Sequence, residues 1–427
     1  MTTAFRFWIG IDWGSENHQV CILDGDRQVV LEQSVPHTGA GIGAFVQELV
    51  ALGRLDEMAV GIEAPHGAII ETLVEHGAAV FAINPKQLDR FRDRHTVAGA
   101  KDDRRDAYVL ADSLRTDLSS FRRVKLDDPL VVQIRELVRV HEDLVHERIA
   151  FGNRLHGQLT RFFPAILELG EIYDDPWLWA LLEQAPTPAA AKELSREAVV
   201  AILKAHKIRR LDTKTVIEVL GVESLPVAPG VADAASKHIS LLIPRLRLNR
   251  DQLKFCVREL DRLLDALAPM PREEKREHRD VAILRSLPGV GTIVSATMLA
   301  EAQQPLEQRD YRSLRAQAGV APVTRATGKR SGTHASVSMR YACNTRLRNA
   351  VYHWTMNNIR ADARSKDHYA RLRSRGHTHG RAIRGVADRL LKLLIVMLRS
   401  GSLYDASRRL LKAGDSSEVT RTTQNHS

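Results

Sequence analysis

Four carboxylates in the first quarter of the chain have the type and placement to hold a divalent cation: Asp12, Glu63, Asp103 and Asp106. Asp12 closes the apolar run Phe7-Trp8-Ile9-Gly10-Ile11, which reads as a strand ending in an acid. Glu63 ends a second such run, Ala59-Val60-Gly61-Ile62. Asp103 and Asp106 lie three apart at the start of a predicted helix and therefore share a face. Hard divalent cations take oxygen ligands, and a pair of such ions flanks the attacking and leaving oxygens in phosphoryl transfer. The chemistry indicated is metal-assisted work on a phosphodiester. A plainer account also exists. One acid at a strand end is common, and a helix N-terminus draws acids through its dipole, which alone accounts for Asp102, Asp103 and Asp106. Asp102 and Asp106, four apart, share a face as well, so the spacing leaves the choice of pair open. Lys101, Arg104 and Arg105 are either solvated or hold a scissile phosphate.

Two further segments carry chemistry. Leu287-Pro288-Gly289-Val290-Gly291 between helices matches a helix-hairpin-helix turn. Gly289 and Gly291 let the backbone approach a phosphate, and the next helix presents free N–H groups to it. The alternative is a tight turn with no ligand. The second segment runs from Ala318 to Thr333 and is basic and dense in hydroxyls, with Arg325, Lys329, Arg330 and Ser331. It lacks the Gly-x-x-x-x-Gly-Lys-Ser/Thr spacing of a nucleotide loop and reads as a phosphate-binding loop. Arg340, Arg346 and Arg348 follow as a helix opens. His377 and His379 have no further ligand cluster nearby and read as a solvated loop.

The elements that position these groups follow from periodicity. Strands are predicted at Phe5 to Asp12, His18 to Leu23 and Gln28 to Ser34, then up to Glu63 and at Ala78 to Ile83. Helices fall at Ala40 to Leu52 and Ala68 to Glu75, with Pro85 suited to a helix start. This is an α/β pattern, hairpin strands first and helix-connected strands later. Two long helices follow, Pro129 to Phe163 and Ala232 to Leu267, the second interrupted by Pro244, which is expected to kink it or end a segment. They pair either as a coiled-coil arm for dimerisation or as a bundle on their own chain. The last region, from about Asp280, is mostly helical. The expected domains are residues 1–125, 126–275 and 276–405, with a disordered tail at 406–427.

The formal net charge of +10 is uneven. From Leu306 onward there are 24 Lys/Arg against 8 Asp/Glu, a net +16, which leaves −6 for the residues before it. A basic half of this kind suits phosphate neutralisation. Three cysteines, Cys21, Cys256 and Cys343, lie far apart without metal-ligand spacing, so neither a disulfide framework nor a zinc site is indicated. No signal peptide is read, and the apolar run Leu390 to Leu398 is too short to span a bilayer. The expectation is a cytoplasmic protein.

Taken together, Gly10-Ile11-Asp12, Ile62-Glu63-Ala64, Asn84-Pro85-Lys86-Gln87, Lys101 to Ala107, Leu287 to Gly291 and Ala318 to Thr324 resemble one known family. It is the insertion-sequence transposases with a RuvC-like DEDD domain and a C-terminal serine-bearing transposase domain, some of them guided by a bridge RNA. The resemblance covers Ile9 to about Tyr404. It implies a ribonuclease-H-like (RuvC-like) N-terminal domain, a helical or coiled-coil middle and a mostly helical C-terminal domain with a helix-hairpin-helix. It selects Asp103 and Asp106 over Asp102, and it implies Mg²⁺ on Asp12, Glu63, Asp103 and Asp106. It further implies a serine nucleophile. Counting back from Met339-Arg340-Tyr341-Ala342 selects Ser331, while counting forward from Pro322 selects Thr327; Ser331 is taken because serine is required. The implied reaction is DNA strand exchange through a covalent 5′-phosphoserine link. The implied partners are donor and target DNA, a bridge RNA and further copies of the chain, a dimer or tetramer. Action is expected in the bacterial cytoplasm, at the nucleoid. Ser331 lies 225 positions after Asp106, so the site must be assembled between domains. Lys101, Arg104, Arg105, Gly289, Gly291, Arg325, Lys329, Arg330, Arg340, Arg346 and Arg348 are the expected nucleic-acid contacts. Competing readings are a RuvC-like junction resolvase acting by hydrolysis, and a non-catalytic nucleic-acid-binding protein.

Overall fold

A computed structural model describes residues 5–63, 67–83, 88–91, 102–124, 128–268, 280–325 and 336–407. The chain divides into two compact units, Met1–Asp128 and Pro129–Ser427.

The first unit is built on a six-stranded sheet in the order β3-β2-β1-β4-β5-β6. Its strands are β1 (Phe7–Asp12), β2 (Asn17–Leu23), β3 (Val29–Pro36), β4 (Met58–Ile62), β5 (Ala79–Ala82) and β6 (Arg122–Arg123). β1 runs antiparallel to β2 and parallel to β4, so the hairpin and the crossover strands meet at β1. β2 turns into β3 through Asp24, whose Oδ1 accepts from the backbone N–H of Asp26 at 3.0 Å and of Gln28 at 2.8 Å. This mixed sheet is consistent with a RuvC-like DEDD domain.

Why β1 and β4 read as unbroken apolar runs is now plain: both their faces are covered. Ile9, Ile11, Val60 and Ile62 face α1 (Gly39–Leu52) and α2 (Ala68–Glu75), whose Ile42, Phe45, Leu49, Ile69 and Leu73 complete one core. Residues of the other parity, with Ala59, Ala79 and Phe81, face α3 (Asp103–Asp117) through Val109, Leu110 and Leu114. Pro85, expected to start a helix, lies outside the described residues.

Among its described residues, the regular structure of the second unit is helical apart from one short hairpin. Its long helices, α4 (Pro129–Phe162) and α9 (Val231–Leu267), pack on each other within the chain. The pairing is antiparallel: Ile134 and Val138 meet Leu260, Leu263 and Leu264, and Leu155 and Leu159 meet Ile239 and Leu242. Between these zones Asn249 Nδ2 donates to the Leu144 carbonyl at 2.9 Å. Pro244 sits inside α9 without ending it, with Leu242, Ile243 and Leu246 buried around it. The short helices α5 (Pro176–Gln184), α6 (Pro188–Lys192), α7 (Arg196–Ala205) and α8 (Thr213–Leu220) join the far ends of this pair in one core that includes Trp177 and Trp179. The pair is therefore capped by its own chain.

The remaining helices are α10 (Asp280–Ser286), α11 (Thr292–Glu301), α12 (Gln303–Glu307), α13 (Tyr311–Gln317), α14 (Thr345–Ala361), α15 (Ala363–Ser374) and α16 (His379–Ser400). They enclose Trp354, Leu391 and Leu394. Strands β7 (Val323–Arg325) and β8 (Ser336–Ser338) form the hairpin that periodicity did not reveal, pairing Arg325 with Ser336 at the root of residues 326–335. No helix among the described residues is long and apolar enough to cross a membrane.

Candidate metal centre

Asp12, Asp103 and Asp106 come together. Each offers a carboxylate oxygen, and the three oxygens lie within 4.8 Å of one another. The sheet and α3 bring this about. Gly10 and Asp12 are two apart on β1 and so face α3 together. A side-chain carbon on Gly10 would lie 1.8 Å from the Ala107 carbonyl oxygen and 2.6 Å from the Ala111 nitrogen. Only glycine permits that approach, and it carries the first turn of α3 down to Asp12. Gly61 repeats the device on β4, where an added carbon would lie 3.2 Å from the Leu110 carbonyl oxygen. Small residues on the helix, Ala107 and Ala111, are buried against Cys21 and Leu23 of β2.

Asp102 has a different task. Its side chain caps α3 by accepting from the Arg104 backbone N–H at 3.1 Å. Its carbonyl accepts from the Asp106 N–H at 2.9 Å, the first full turn of the helix. Asp106 is 2% exposed, Asp12 half-buried and Asp103 exposed, so the trio runs from the protein interior to solvent. Carboxylates this close repel one another unless cations or protons lie between them, and burial at Asp106 strengthens that demand. An all-oxygen, anionic set open on one side fits a hard divalent cation that keeps some water.

Glu63 is half-buried and follows β4 directly. The parallel register pairs Ile11 with Ile62, so one step further sets the Glu63 backbone beside Asp12. Its carboxylate is not one of the three that converge.

Comparison with known proteins agrees with this geometry. A family model described as Transposase, of the DEDD IS110 group, matches residues 9–164. A second, described as Transposase IS116/IS110/IS902 family, matches residues 281–370. The “Mini-circle putative transposase for IS117” of Streptomyces coelicolor is 32% identical over 415 residues, 95% of this chain and 97% of that protein. The chain belongs to the IS116/IS110/IS902 transposase family. Another relative, “Putative transposase y4uE” of Sinorhizobium fredii, is 46% identical over 215 residues, spanning 50% of this chain and 60% of that protein. The “Insertion element IS110 uncharacterized 43.6 kDa protein” of Streptomyces coelicolor is 27% identical over 403 residues, 93% of this chain and 95% of that protein.

The other residues singled out in this transposase's sequence are placed as follows. Arg104 is exposed and pairs with Glu32 at 3.5 Å, while Arg105 is half-buried with its Nη1 unpartnered among the described residues. Gly289 has φ +80°, and a side-chain carbon there would lie 2.7 Å from the Asn358 nitrogen. Pro288's carbonyl accepts from Trp354 Nε1 at 3.1 Å and Asn358 Nδ2 at 2.9 Å. That half of the turn is thus docked on α14. Gly291 is open, but Thr292 beside it donates to Asp261 Oδ1 at 2.7 Å, setting an acid of α9 at the α11 N-terminus. Arg346 is paired with Glu142, Arg340 donates to the Ala342 carbonyl at 3.0 Å, and Arg348 is half-buried against Cys343. Arg325 is described only as backbone in β7. Lys101, Thr327, Lys329, Arg330 and Ser331 lie outside the described residues. His379 Nδ1 is hydrogen-bonded to the Tyr369 hydroxyl at 2.8 Å.

Two features escaped the sequence reading. Arg371, Arg373, Arg375 and Arg381 are exposed on α15, α16 and the turn between them. Burial, and then the charges of Arg389, Arg371 and Arg375, hold the nearby His368 below its usual pKa. The Arg-x-Arg-x-Arg spacing at 371–375 was the available signal. The second is a buried histidine, His18, whose Nε2 lies 2.8 Å from His37 Nδ1. A lone histidine in an apolar strand gives no sign of such a partner 19 positions away.

Proposed function

We propose that this transposase exchanges DNA strands through a covalent link between Ser331 and the 5′-phosphate of a cut strand. The observation that carries the reading is the convergence of Asp12, Asp103 and Asp106 in a chain of this family. These three, with Glu63 beside them, hold divalent metal, which we take to be Mg²⁺. When bound, it stabilises charge on the scissile phosphate and the departing 3′-oxygen.

Ser331 Oγ loses its proton and attacks phosphorus. The bond from phosphorus to the 3′-oxygen breaks, that oxygen leaves as a hydroxyl by taking up a proton, and the Oγ–phosphorus ester forms. Attack by the 3′-hydroxyl of a second strand reverses the sequence and frees the serine. One phosphoester replaces another at each step, so no external energy source enters. Arg105, next in sequence to Asp106, is the residue we assign to the phosphate at this centre.

Target choice falls to a bridge RNA pairing with DNA, with the protein reading backbone rather than bases. The exposed arginines of α15 and α16 suit that role, being spread over a surface instead of gathered on a reading helix. Further copies of the chain complete the assembly. In support, α9 leaves Leu241, Leu248 and Phe255 exposed at 65%, 61% and 51%. Their seven-residue spacing is that of a helix–helix seam.

The test is strand exchange between two plasmids carrying the element's ends and its target, with the RNA transcribed from the flanking DNA. Wild type should join them only with Mg²⁺ or Mn²⁺, and Asp106→Asn should not. Joining without RNA or metal would contradict the reading, and cutting without joining would favour a hydrolytic nuclease.

A further inference from the structure

Among the described residues of the first unit, Trp13 is the one exposed aromatic side chain, at 41%, and it directly follows Asp12. Leaving so large an apolar ring in water is costly, and here the ring is braced rather than loose. Its centroid lies 6.3 Å from that of His18 and 6.2 Å from that of His37. The two imidazoles meet edge-on at 4.9 Å. The Gly14 N–H points to His18 Nδ1 at 3.4 Å, which makes that nitrogen the acceptor and leaves Nε2–H to donate to His37 Nδ1. Neutral His18 is thereby held in one tautomer and orientation. Gly67, the N-cap of α2, lies beside the indole: a side-chain carbon there would lie 3.8 Å from Trp13 Nε1. The indole is thus fixed one residue from a metal-binding carboxylate, with a large part of its surface free.

We infer that Trp13 is a stacking platform for an unpaired nucleobase flanking the phosphate held at the acidic centre. This rests on the reading of that centre as a nucleic-acid site. Trp13 follows Asp12 at the same end of β1, its ring on the α1/α2 side of the sheet and the trio on the α3 side. A nucleic-acid strand whose phosphate sits at the trio and that crosses this end of the sheet therefore carries a neighbouring base to the ring. Every base has a π face, so a flat ring binds without demanding sequence, as an enzyme whose target is set by pairing elsewhere requires. Strand exchange must unpair bases at the cut, and a rigid ring there holds one out of the duplex. Trp13 is in this sense a positioning residue, and the His18–His37 pair keeps its ring in place.

The full chain with Mg²⁺ and a single-stranded oligodeoxynucleotide carrying 5-iodouracil, irradiated at long wavelength, tests this. Mass spectrometry of the tryptic peptides should place a crosslink on Trp13, within Phe7–Arg27. Trp13→Ala should lose that crosslink and bind the oligonucleotide about tenfold more weakly, the order of one stacked base. Trp13→Phe, which keeps a ring, should bind within about twofold of wild type, on the same stacking argument. Thermal melting of both variants checks that the unit still folds. Crosslinks that fall only on other peptides, or a Trp13→Ala affinity equal to wild type, would overturn the inference. Asp106→Asn separates it from the reading beneath. If that variant still breaks strands, the acidic centre is misread and the platform beside it falls too. If it is inert while Trp13→Ala binds normally, the ring alone is misassigned.

Discussion

The α carbon of Gly10 lies so close to Ala107 that a methyl group on it would sit 1.8 Å from the Ala107 carbonyl oxygen. This contact seats α3 on β1 and brings Asp106, the residue before Ala107, to Asp12. Gly10→Ala must therefore push the helix off the strand. We expect a loss of about 1–3 kcal/mol, the usual cost of overpacking, and loss of cation binding with it. Gly43→Ala is the control, since that exposed position in α1 meets nothing within 4 Å. It should gain about 0.5–1 kcal/mol from helix propensity. Denaturant midpoints and Mn²⁺ titration read both effects.

The three aspartates at the head of α3 should separate by function. Asp102→Ala removes only the cap and should cost about 1 kcal/mol with cation binding unchanged. Asp106→Asn should abolish binding. In the absence of metal it should unfold no earlier than wild type, because it relieves repulsion within the trio. At a Mg²⁺ concentration of a hundred times Kd, wild type should gain about 2.7 kcal/mol and Asp106→Asn nothing. Equal stabilisation of both would place the cation elsewhere.

Burial, and then the charge of His37, lowers the His18 pKa below its usual 6.5. The folded state therefore resists a proton that the unfolded chain accepts. Above the unfolded pKa both states are neutral and the full stability is present. As the pH falls below about 6.5, the reference value for histidine, the unfolded state gains protons first and stability drops. Denaturant midpoints between pH 7.5 and 5.5 should fall for wild type and fall less for His18→Gln. Parallel curves would show that other groups carry the acid sensitivity.

Surface arginines and tethered ones should differ in salt dependence. Arg371, Arg375 and Arg381 are exposed and make no ion pair among the described residues. Alanine at each should reduce the slope of log affinity against log salt by about 0.9 per lost phosphate contact. Arg346 is committed to Glu142 of α4. Arg346→Ala should lower stability and leave the slope unchanged. Nucleic-acid binding measured by anisotropy across salt concentrations distinguishes the two groups.

How much of this was legible in the sequence varies with the range of the cause. Asp12 and Glu63 were visible because apolar runs that end in an acid mark covered strands, and both lie at strand ends here. Asp103 and Asp106 were visible because spacing on a helix is local, but spacing alone did not separate them from Asp102, whose side chain caps the helix instead of joining the convergent three. The long helices were read nearly to the residue, whereas their partner was not, since an apolar stripe does not say whether it packs on its own chain. Nor did Gly289 announce that its turn is filled by α14. Gly10 looked like part of a strand, and its role depends on a helix that begins 93 positions later.

The proposed covalent bond between Ser331 and DNA can be trapped. Wild type, Ser331→Ala and Thr327→Ala would be incubated with Mg²⁺, the flanking RNA and DNA labelled on either side of the cut, then denatured and resolved. An adduct on the 5′-phosphate side is expected for wild type and Thr327→Ala, and none for Ser331→Ala. An adduct that persists in Ser331→Ala, or cleavage by wild type with no adduct at all, would contradict the proposed bond.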